Sequence, residues 1–379
     1  AIGRSFMMLN RVMFFLPTLG GGGAERTVIQ LANSFAEQGL NIDLVVCNLT
    51  GEKSKLLPEV SPKINLVDLA CGRVISAIQP LKMRLQQENY QVLVATQTHS
   101  NIVCGIAKKL AKVPVKLIFR EVSTPSKNMK LSGMKKWIFQ TLVSWTYREA
   151  AQVVCVSNGV RDDFRDYYQY QTNNLKTIYN PVLDAAYFEK LKAPVQHHFF
   201  SKDHKVILAV GRLTDAKNFT FLIRSFTELH QVHPETRLII LGEGELRSEL
   251  EALRTSLHLT EVVDLPGFDA NPYAYFKYAA LFVLSSNWEG LPGVLIQALA
   301  SQVKVVSTDC PSGPMEILQD SKFGLLVPCN DQAAMVNAMQ QAIYGTYVDY
   351  TLEDFEQHCQ QFNKQTVQQQ YLSLMEQTQ

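Results

Sequence analysis

The chain of 379 residues has 46% apolar and 19% charged residues, an ordinary globular balance that does not suggest disorder and leads one to expect two or three domains. Lys plus Arg number 36 against 35 Asp plus Glu, and the net charge of +1 gives no global attraction to nucleic acid. Seven scattered cysteines without a C-x-x-C pair argue against a disulfide framework or a structural zinc site, and no apolar run approaches the ~20 residues of a membrane-spanning helix.

The opening Ala1–Phe6 has one basic residue and no long apolar stretch, so no secretion signal is expected and the fold is read from Met8 onward. Free thiols and the missing signal predict a cytoplasmic protein. Val12–Leu16 is a short apolar run, as a strand buried on both faces requires. The glycine run Gly20–Gly23 follows, then a helical stretch over Ala24–Gln38 closed by Gly39. Strands are predicted over Ile42–Cys47, Gln91–Thr96, Val115–Phe119 and Val153–Val156, with a helix from about Asn101 to Ala111. The alternation weakens over 181–204, which contains Pro181, Pro194 and the pair His197-His198. It resumes with strands at Val206–Val210, Arg237–Leu241, Val262–Leu265, Leu281–Ser285 and Lys304–Ser307. Such alternation predicts α/β domains with parallel sheets covered by helices. The expected division is a first domain over 8–180, a linker over 181–204, a second domain over 205–345 and a C-terminal helical segment over 346–379 packing back on the first domain. Ligands of such folds sit at the carboxyl ends of strands, so the chemistry is expected in the loops after strands, at a cleft between the domains.

Three loops carry chemistry. The first is Gly20-Gly21-Gly22-Gly23-Ala24-Glu25-Arg26. Glycine amides at a helix start suit an anion or a sugar, and a bare tight turn is the alternative. It is not a phosphate-binding P-loop, because Glu25 stands where Lys is needed, and Glu25 also breaks a G-x-G-x-x-G spacing. The second loop, Gly211-Arg212-Leu213-Thr214-Asp215-Ala216-Lys217-Asn218-Phe219, places two permanent cations after a strand. A nucleotide diphosphate needs such cations where no metal neutralises its leaving charge, and a solvated basic pair is the alternative. The third runs from Ser285 through Asn287, Glu289, Gly290, Leu291, Pro292 and Gly293 to Gln297. The amides of Gly290, Leu291 and Gly293 would head a helix, Pro292 fits its first turn, and Gln297 lies about two turns on, on the same side. A plain helix-start carboxylate is the alternative role for Glu289.

Here the chain resembles family 4 of the retaining glycosyltransferases. The resemblance rests on Glu289-Gly290-Leu291-Pro292 to Gln297-Ala298, Gly211-Arg212-Leu213 and Lys217-Asn218-Phe219. It is extended by Gly20 to Arg26, Leu241-Gly242-Glu243-Gly244, Leu265-Pro266-Gly267-Phe268, and Val305 to Pro314 with Glu316-Ile317, in family order. The resemblance implies the GT-B fold, two facing Rossmann-like α/β domains, with a sugar-nucleotide donor held mostly by the second. It implies that Arg212 and Lys217 bind the donor diphosphate, Glu289 contacts the transferred sugar, and the segment at Gly267 and Phe268 holds the base. Gly22, Gly23, Gly211, Gly290, Leu291, Pro292, Gly293 and Gln297 would complete the donor site. No metal or other cofactor is expected, in line with the lack of an Asp-x-Asp motif. The family pattern has a second Glu eight residues after the first; here it is Gln297, which keeps hydrogen-bonding capacity but loses the charge that strengthens a ribose contact. His99 resembles a family His that contacts acceptor or donor sugar, a structural His being the alternative. At Arg120-Glu121 many relatives carry a His, so Glu121 is expected to contact acceptor or sugar. Glu316 matches a cleft-facing Glu of relatives, or else caps its helix.

Residues 108–148 hold ten basic residues against the single acid Glu121, a local charge of +9. Trp137, Ile138, Phe139, Leu142, Val143 and Trp145 lie beside this charge. Basic and aromatic residues together suit an anionic membrane surface, and relatives often dock onto lipid-linked acceptors, so peripheral contact with the cytoplasmic face of the inner membrane is expected. No nucleic-acid motif accompanies the patch. The resulting expectation is transfer of a hexose or N-acetylhexosamine, with a UDP-sugar favoured, to a glycan or lipid-linked glycan in bacterial surface polysaccharide or lipopolysaccharide synthesis. The alternatives are a sugar-nucleotide 2-epimerase of the same architecture, a nicotinamide-dependent oxidoreductase, and a non-catalytic sugar-binding protein.

Overall fold

The computed structural model describes residues 9–129 and 131–377. Met8, the expected domain start, and Lys130 of the basic segment lie outside the described residues. The chain divides into two compact units, one running to Asn180 and taken up again from Gln365, the other Pro181–Lys364.

In the first unit, β1 (Arg11–Leu16), β2 (Asn41–Val46), β3 (Asn65–Asp68), β4 (Val92–Thr96), β5 (Lys116–Glu121), β6 (Ala150–Cys155) and β7 (Leu175–Thr177) form one sheet in the order β3-β2-β1-β4-β5-β6-β7. In the second, β8 (Lys205–Val210), β9 (Thr236–Leu241), β10 (Val263–Gly267), β11 (Leu281–Leu284), β12 (Val305–Thr308) and β13 (Leu325–Val327) order as β10-β9-β8-β11-β12-β13. The pairings of both sheets are parallel. Each is therefore a doubly wound Rossmann-like sheet whose strand order reverses beside its first strand.

Side chains alternate across a strand, and the first unit uses both faces of β1. Phe14 and Leu16 pack with Val28, Phe35 and Tyr371, while Met13 and Phe15 pack with Ala107, Phe119 and Phe164. Full burial of each such side chain stabilises by about 1.5–3 kcal/mol. The second unit builds a comparable core from Ile207, Leu222, Phe226, Leu238, Val283 and Met339.

Three edge strands escape the sequence reading: β3, β7 and β13. Their burial is partial, so they lack the continuous apolar run that marks an interior strand. Two expected segments also take different places. The 181–204 stretch belongs to the second unit and carries the helix Ala185–Leu191, whose start is capped by Asp184 accepting the Tyr187 N–H at 2.8 Å. The C-terminal segment splits, because its two helices present separate apolar faces. In the helix Leu352–Gln360, Phe355 and His358 pack against Phe323 of the second unit. In the helix Lys364–Glu376, Val367, Tyr371, Leu374 and Met375 complete the core of the first.

Candidate active site

In the second unit the order reverses between β8 and β11, which puts the loops after those two strands side by side. The loop after β8 carries Arg212 and Lys217, and the loop after β11 carries Glu289. The Lys217 ammonium donates to Glu289 Oε1 at 2.5 Å, and Ser286 Oγ donates to the same oxygen at 2.6 Å. Both side chains are largely enclosed, 18% and 12% exposed, so this pair is shielded from solvent more than a surface bridge. Glu289 Oε2 has no partner among the described residues. Arg212 is exposed and has no ion-pair partner among the described residues.

Backbone stitching holds the two loops in register. Asn287 N–H donates to Ala216 O at 2.8 Å, and Ser285 Oγ donates to Lys217 O at 2.8 Å. Asn218 Nδ2 reaches Asn287 Oδ1 at 3.0 Å and Asn330 Oδ1 at 2.9 Å. Gly211 lets the Lys217 stem lie across the backbone, since a Cβ there would stand 3.1 Å from Lys217 Cε. The loop after β9 presses closer still. A Cβ on Gly242, at φ +144°, would stand 1.9 Å from Gly211 O, and one on Gly244 would stand 2.4 Å from Leu213 O. Gly242 N–H donates to Gly267 O at 2.8 Å, which ties the end of β10 to the same group, with Phe268 beside it 78% exposed.

Below Glu289, Pro292 caps the helix Gly293–Ala300, whose first turn holds Gly293. Gly290 O accepts Ser312 Oγ at 2.7 Å, and Gly313, at φ +105°, has Pro292 where a Cβ would be. Leu291 and Gln297 are half-buried, and the Gln297 carbonyl accepts the Tyr187 hydroxyl. Glu316 is half-buried on the short helix Pro314–Leu318. That helix is held by His358 Nε2 on Ile317 O at 2.6 Å, and burial pulls the His358 pKa down, favouring a neutral ring. Arg212, Lys217, Glu289, Gly290 and Gly211 are thus brought together at one switch point. Asn218, Ser286 and Asn287 lay within the loops singled out but were given no supporting role, and Asn330 was missed, because small polar residues in loops carry no spacing signal of their own.

In the first unit the reversal lies between β1 and β4. The glycine loop follows β1, and His99 follows β4, exposed on the first turn of the helix Thr98–Ala111. The amides of Gly21 and Gly22 do not form an open anion site as expected. They donate to Glu25 Oε2 at 3.1 and 2.7 Å, and Thr18 Oγ1 donates to Glu25 Oε1 at 2.9 Å. The helix supplies its own carboxylate where an anion would sit. Gly23 has open space around it.

Glu121 also departs from its expected role as a direct contact, since it is 2% exposed at the end of β5. Its carboxylate accepts Thr98 Oγ1 at 2.9 Å, Asn101 Nδ2 at 3.0 Å and the Tyr147 hydroxyl. Burial, opposed by these bonds, pushes its pKa up to about 7. Arg120 is buried as well, donating to Tyr371 Oη at 2.7 Å, Asn180 Oδ1 at 3.0 Å and Thr96 Oγ1 at 3.2 Å.

The basic segment is less charged at the surface than its count implies. Lys108 and Lys109 pair with Glu149 at 3.7 and 2.7 Å. Lys116 is buried, donating to Leu374 O in the C-terminal helix and to Gln377 O just beyond its end. With Arg120 internal, the described surface cations are Lys112, Lys127, Lys135, Arg148 and the half-buried Lys136. On the helix Gly133–Tyr147, Met134, Trp137, Ile138 and Trp145 are 76, 66, 53 and 50% exposed. Their spacing sets them on one face, opposite the buried Val143. No helix among the described residues is long and apolar enough to cross a membrane.

Among the described residues, one grouping has metal-ligand types: His197, His198 and Asp264. His197 Nδ1 accepts the Phe199 N–H at 3.1 Å, so its Nε2 carries the proton shared with Asp264 at 2.8 Å. That proton occupies the lone pair a metal would need.

Comparison with known proteins agrees with this architecture. The sequence model described as Glycosyltransferase Family 4 matches residues 21–184, and that of Glycosyl transferases group 1 matches residues 194–362. A Campylobacter jejuni protein named N-acetylgalactosamine-N,N'-diacetylbacillosaminyl-diphospho-undecaprenol 4-alpha-N-acetylgalactosaminyltransferase is 29% identical over 88% of this chain and 90% of its own. Another from the same organism, named GalNAc-alpha-(1->4)-GalNAc-alpha-(1->3)-diNAcBac-PP-undecaprenol alpha-1,4-N-acetyl-D-galactosaminyltransferase, is 27% identical over 96% and 98%. Among solved structures, a glycosyltransferase from Rickettsia africae superposes with a TM-score of 0.77 at 15% identity, covering 97% of this chain and 98% of that one. Anabaena HepE in complex with UDP superposes at 0.75 with 17% identity, covering 96% and 99%. With two doubly wound parallel sheets and both matched segments in order along the chain, this protein belongs to glycosyltransferase family 4 and has the GT-B fold.

Proposed function

We propose that the enzyme transfers a hexose or N-acetylhexosamine from a nucleotide-diphosphate sugar, UDP-linked by preference, to a lipid-linked glycan in the synthesis of a bacterial surface polysaccharide, keeping the anomeric configuration. The observation that carries this reading is the convergence of Arg212, Lys217 and Glu289 at the β8/β11 switch point. The names of the Campylobacter relatives, which are N-acetylgalactosaminyltransferases acting on undecaprenol-diphosphate glycans, support the acceptor class and the amino sugar.

The chemistry follows from the charges. Arg212, exposed and without an ion-pair partner among the described residues, receives the diphosphate. Lys217 adds a second cation, held in place by Glu289. The bond from the sugar's anomeric carbon to the diphosphate breaks, and a bond to the acceptor oxygen forms on the same face. The acceptor proton passes to the departing phosphate oxygen, whose charge Arg212 and Lys217 stabilise. Glu289 Oε2 accepts a sugar hydroxyl, and exposed Phe268 offers a flat apolar surface to the base. No metal takes part in these steps. Gln297 holds the ribose through neutral hydrogen bonds. His99, exposed on the first unit, is available to a sugar hydroxyl.

The exposed apolar face at Met134, Trp137, Ile138 and Trp145, flanked by Lys135 and Lys136, supports peripheral docking on an anionic bilayer at the cytoplasmic face of the inner membrane. Substituting Arg212→Ala or Lys217→Ala is expected to lower kcat by about 10²–10³-fold, the range for removing one charge-stabilising donor. A thermal-shift screen of UDP-sugars identifies the donor through the stability gained on binding. Full turnover in both variants would overturn the assignment.

A further inference from the structure

We propose that Glu121 is a positioning residue, whose buried carboxyl group locks the first turn of the helix Thr98–Ala111, and with it His99, against the end of β5 and the helix Gly133–Tyr147. This rests on the reading that His99 faces a sugar, and gives Glu121 an indirect part in that same site.

The turn from β4 into the helix is very short. β4 ends at Thr96 and the helix begins at Thr98, so Gln97 alone makes the corner, at φ +77°. A non-glycine residue in that region is strained and persists where its surroundings over-determine it. The bonds to the end of β5 supply that constraint. Gln97 N–H donates to Arg120 O at 3.0 Å, and Asn101 Nδ2 donates to the same carbonyl at 3.1 Å. Glu121 then grips both sides of His99, taking Thr98 Oγ1 on Oε2 and Asn101 Nδ2 on Oε1. His99 thus stands between two residues held by one carboxyl group.

The same carboxyl group reaches a second element through the Tyr147 hydroxyl. Phe139, two turns earlier on that helix, packs against the His99 ring at 5.6 Å between centroids. The imidazole is therefore set from two directions, by its own turn and by an aromatic wall, and both are anchored on Glu121 or its partner helix. A buried carboxyl group is costly and can often be replaced by apolar packing without loss of stability. Its presence where three donors converge is explained by a need for position.

The test reads the His99 imidazole directly, in the full chain with labelled histidine. The Cε1–H resonance of His99 is identified by its loss in His99→Gln. Glu121→Ala is expected to shift or broaden that resonance while leaving the other histidine signals in place. Glu121→Gln, which keeps the shape and one acceptor oxygen for Asn101 and Tyr147, restores it. Thr98→Val removes one arm of the grip and serves if Glu121→Ala does not fold; it too should move the signal. An unchanged His99 resonance in a folded Glu121→Ala or Thr98→Val chain overturns the proposal. Kinetics separate this from the sugar-site reading. If Glu121 acts through His99, Glu121→Ala lowers kcat at least about tenfold in the native background and less than about twofold in His99→Gln. Equal losses in both backgrounds overturn the proposal. If His99→Gln keeps full turnover while Glu121→Ala still moves the resonance, the positioning stands and the sugar role of His99 falls.

Discussion

Replacing Glu121 by Gln should change how stability depends on pH, in a direction set by burial. The carboxyl group is enclosed, and desolvation raises its pKa from 4.5 to about 7 against the pull of its hydrogen bonds. The unfolded chain releases this proton at about pH 4.5, whereas the folded chain keeps it to about pH 7. Between those values the folded state binds more protons, so stability falls as pH rises, and the loss is complete above pH 7. At about 1.4 kcal/mol per unit, the full penalty is about 3 kcal/mol. The groups facing Glu121 do not blur this window. Burial pushes Tyr147, Tyr168 and Cys155 upward, so they stay neutral across it. Gln carries no charge at any pH and removes the penalty. Denaturant unfolding followed by the fluorescence of Trp137 and Trp145, in a Trp288→Phe background, reports on this unit at pH 4.5–8. The native chain should lose about 3 kcal/mol relative to Glu121→Gln across that range. A constant difference, or one that grows in favour of the native chain as pH rises, would refute the reasoning.

The loss of kcat expected for Arg212→Ala and Lys217→Ala has a structural counterpart in Gly242→Ala. The added Cβ would stand 1.9 Å from Gly211 O at a backbone angle that non-glycine residues avoid, so it should cost about 2–4 kcal/mol by denaturant melts and weaken donor binding by displacing the Arg212 loop. On the helix Gly133–Tyr147, Trp137→Ala and Ile138→Ala should each lower partitioning onto phosphatidylglycerol vesicles about tenfold, read by sedimentation, with thermal stability unchanged because both side chains are exposed. Unaltered partitioning in the double variant would remove this face from any membrane contact.

The interior strands were legible because burial on both faces imposes continuous apolar runs, as at β1, β4 and β8. Edge strands β3, β7 and β13 were not, since one side meets water and the pattern dissolves. Loops after strands were marked as places for chemistry from their position alone, and Arg212, Lys217 and Glu289 are single residues whose charge can be read from a string. What each charge faces cannot be. Glu25 turns on the glycine amides of its own helix, because an N-terminal turn accepts a nearby carboxylate as readily as a foreign anion. Glu121 turns inward because its strand ends under a helix carrying Tyr147, which lies 26 residues on in the chain. The local charge of +9 was a true count, yet Glu149 and the C-terminal carbonyls absorb part of it, from positions outside the counted window.

By itself, then, the order of residues determined the alternation of strands and helices, the two parallel sheets and the cationic loop that follows β8. These depend on local periodicity and on residue type. Tertiary structure alone decided which loops meet, since Lys217 and Glu289 are 72 residues apart and become neighbours only because the sheet order reverses between β8 and β11. It also decided which charges stay in water, because desolvation and hydrogen bonding are set by the surroundings a side chain finds, and those are built from distant parts of the chain.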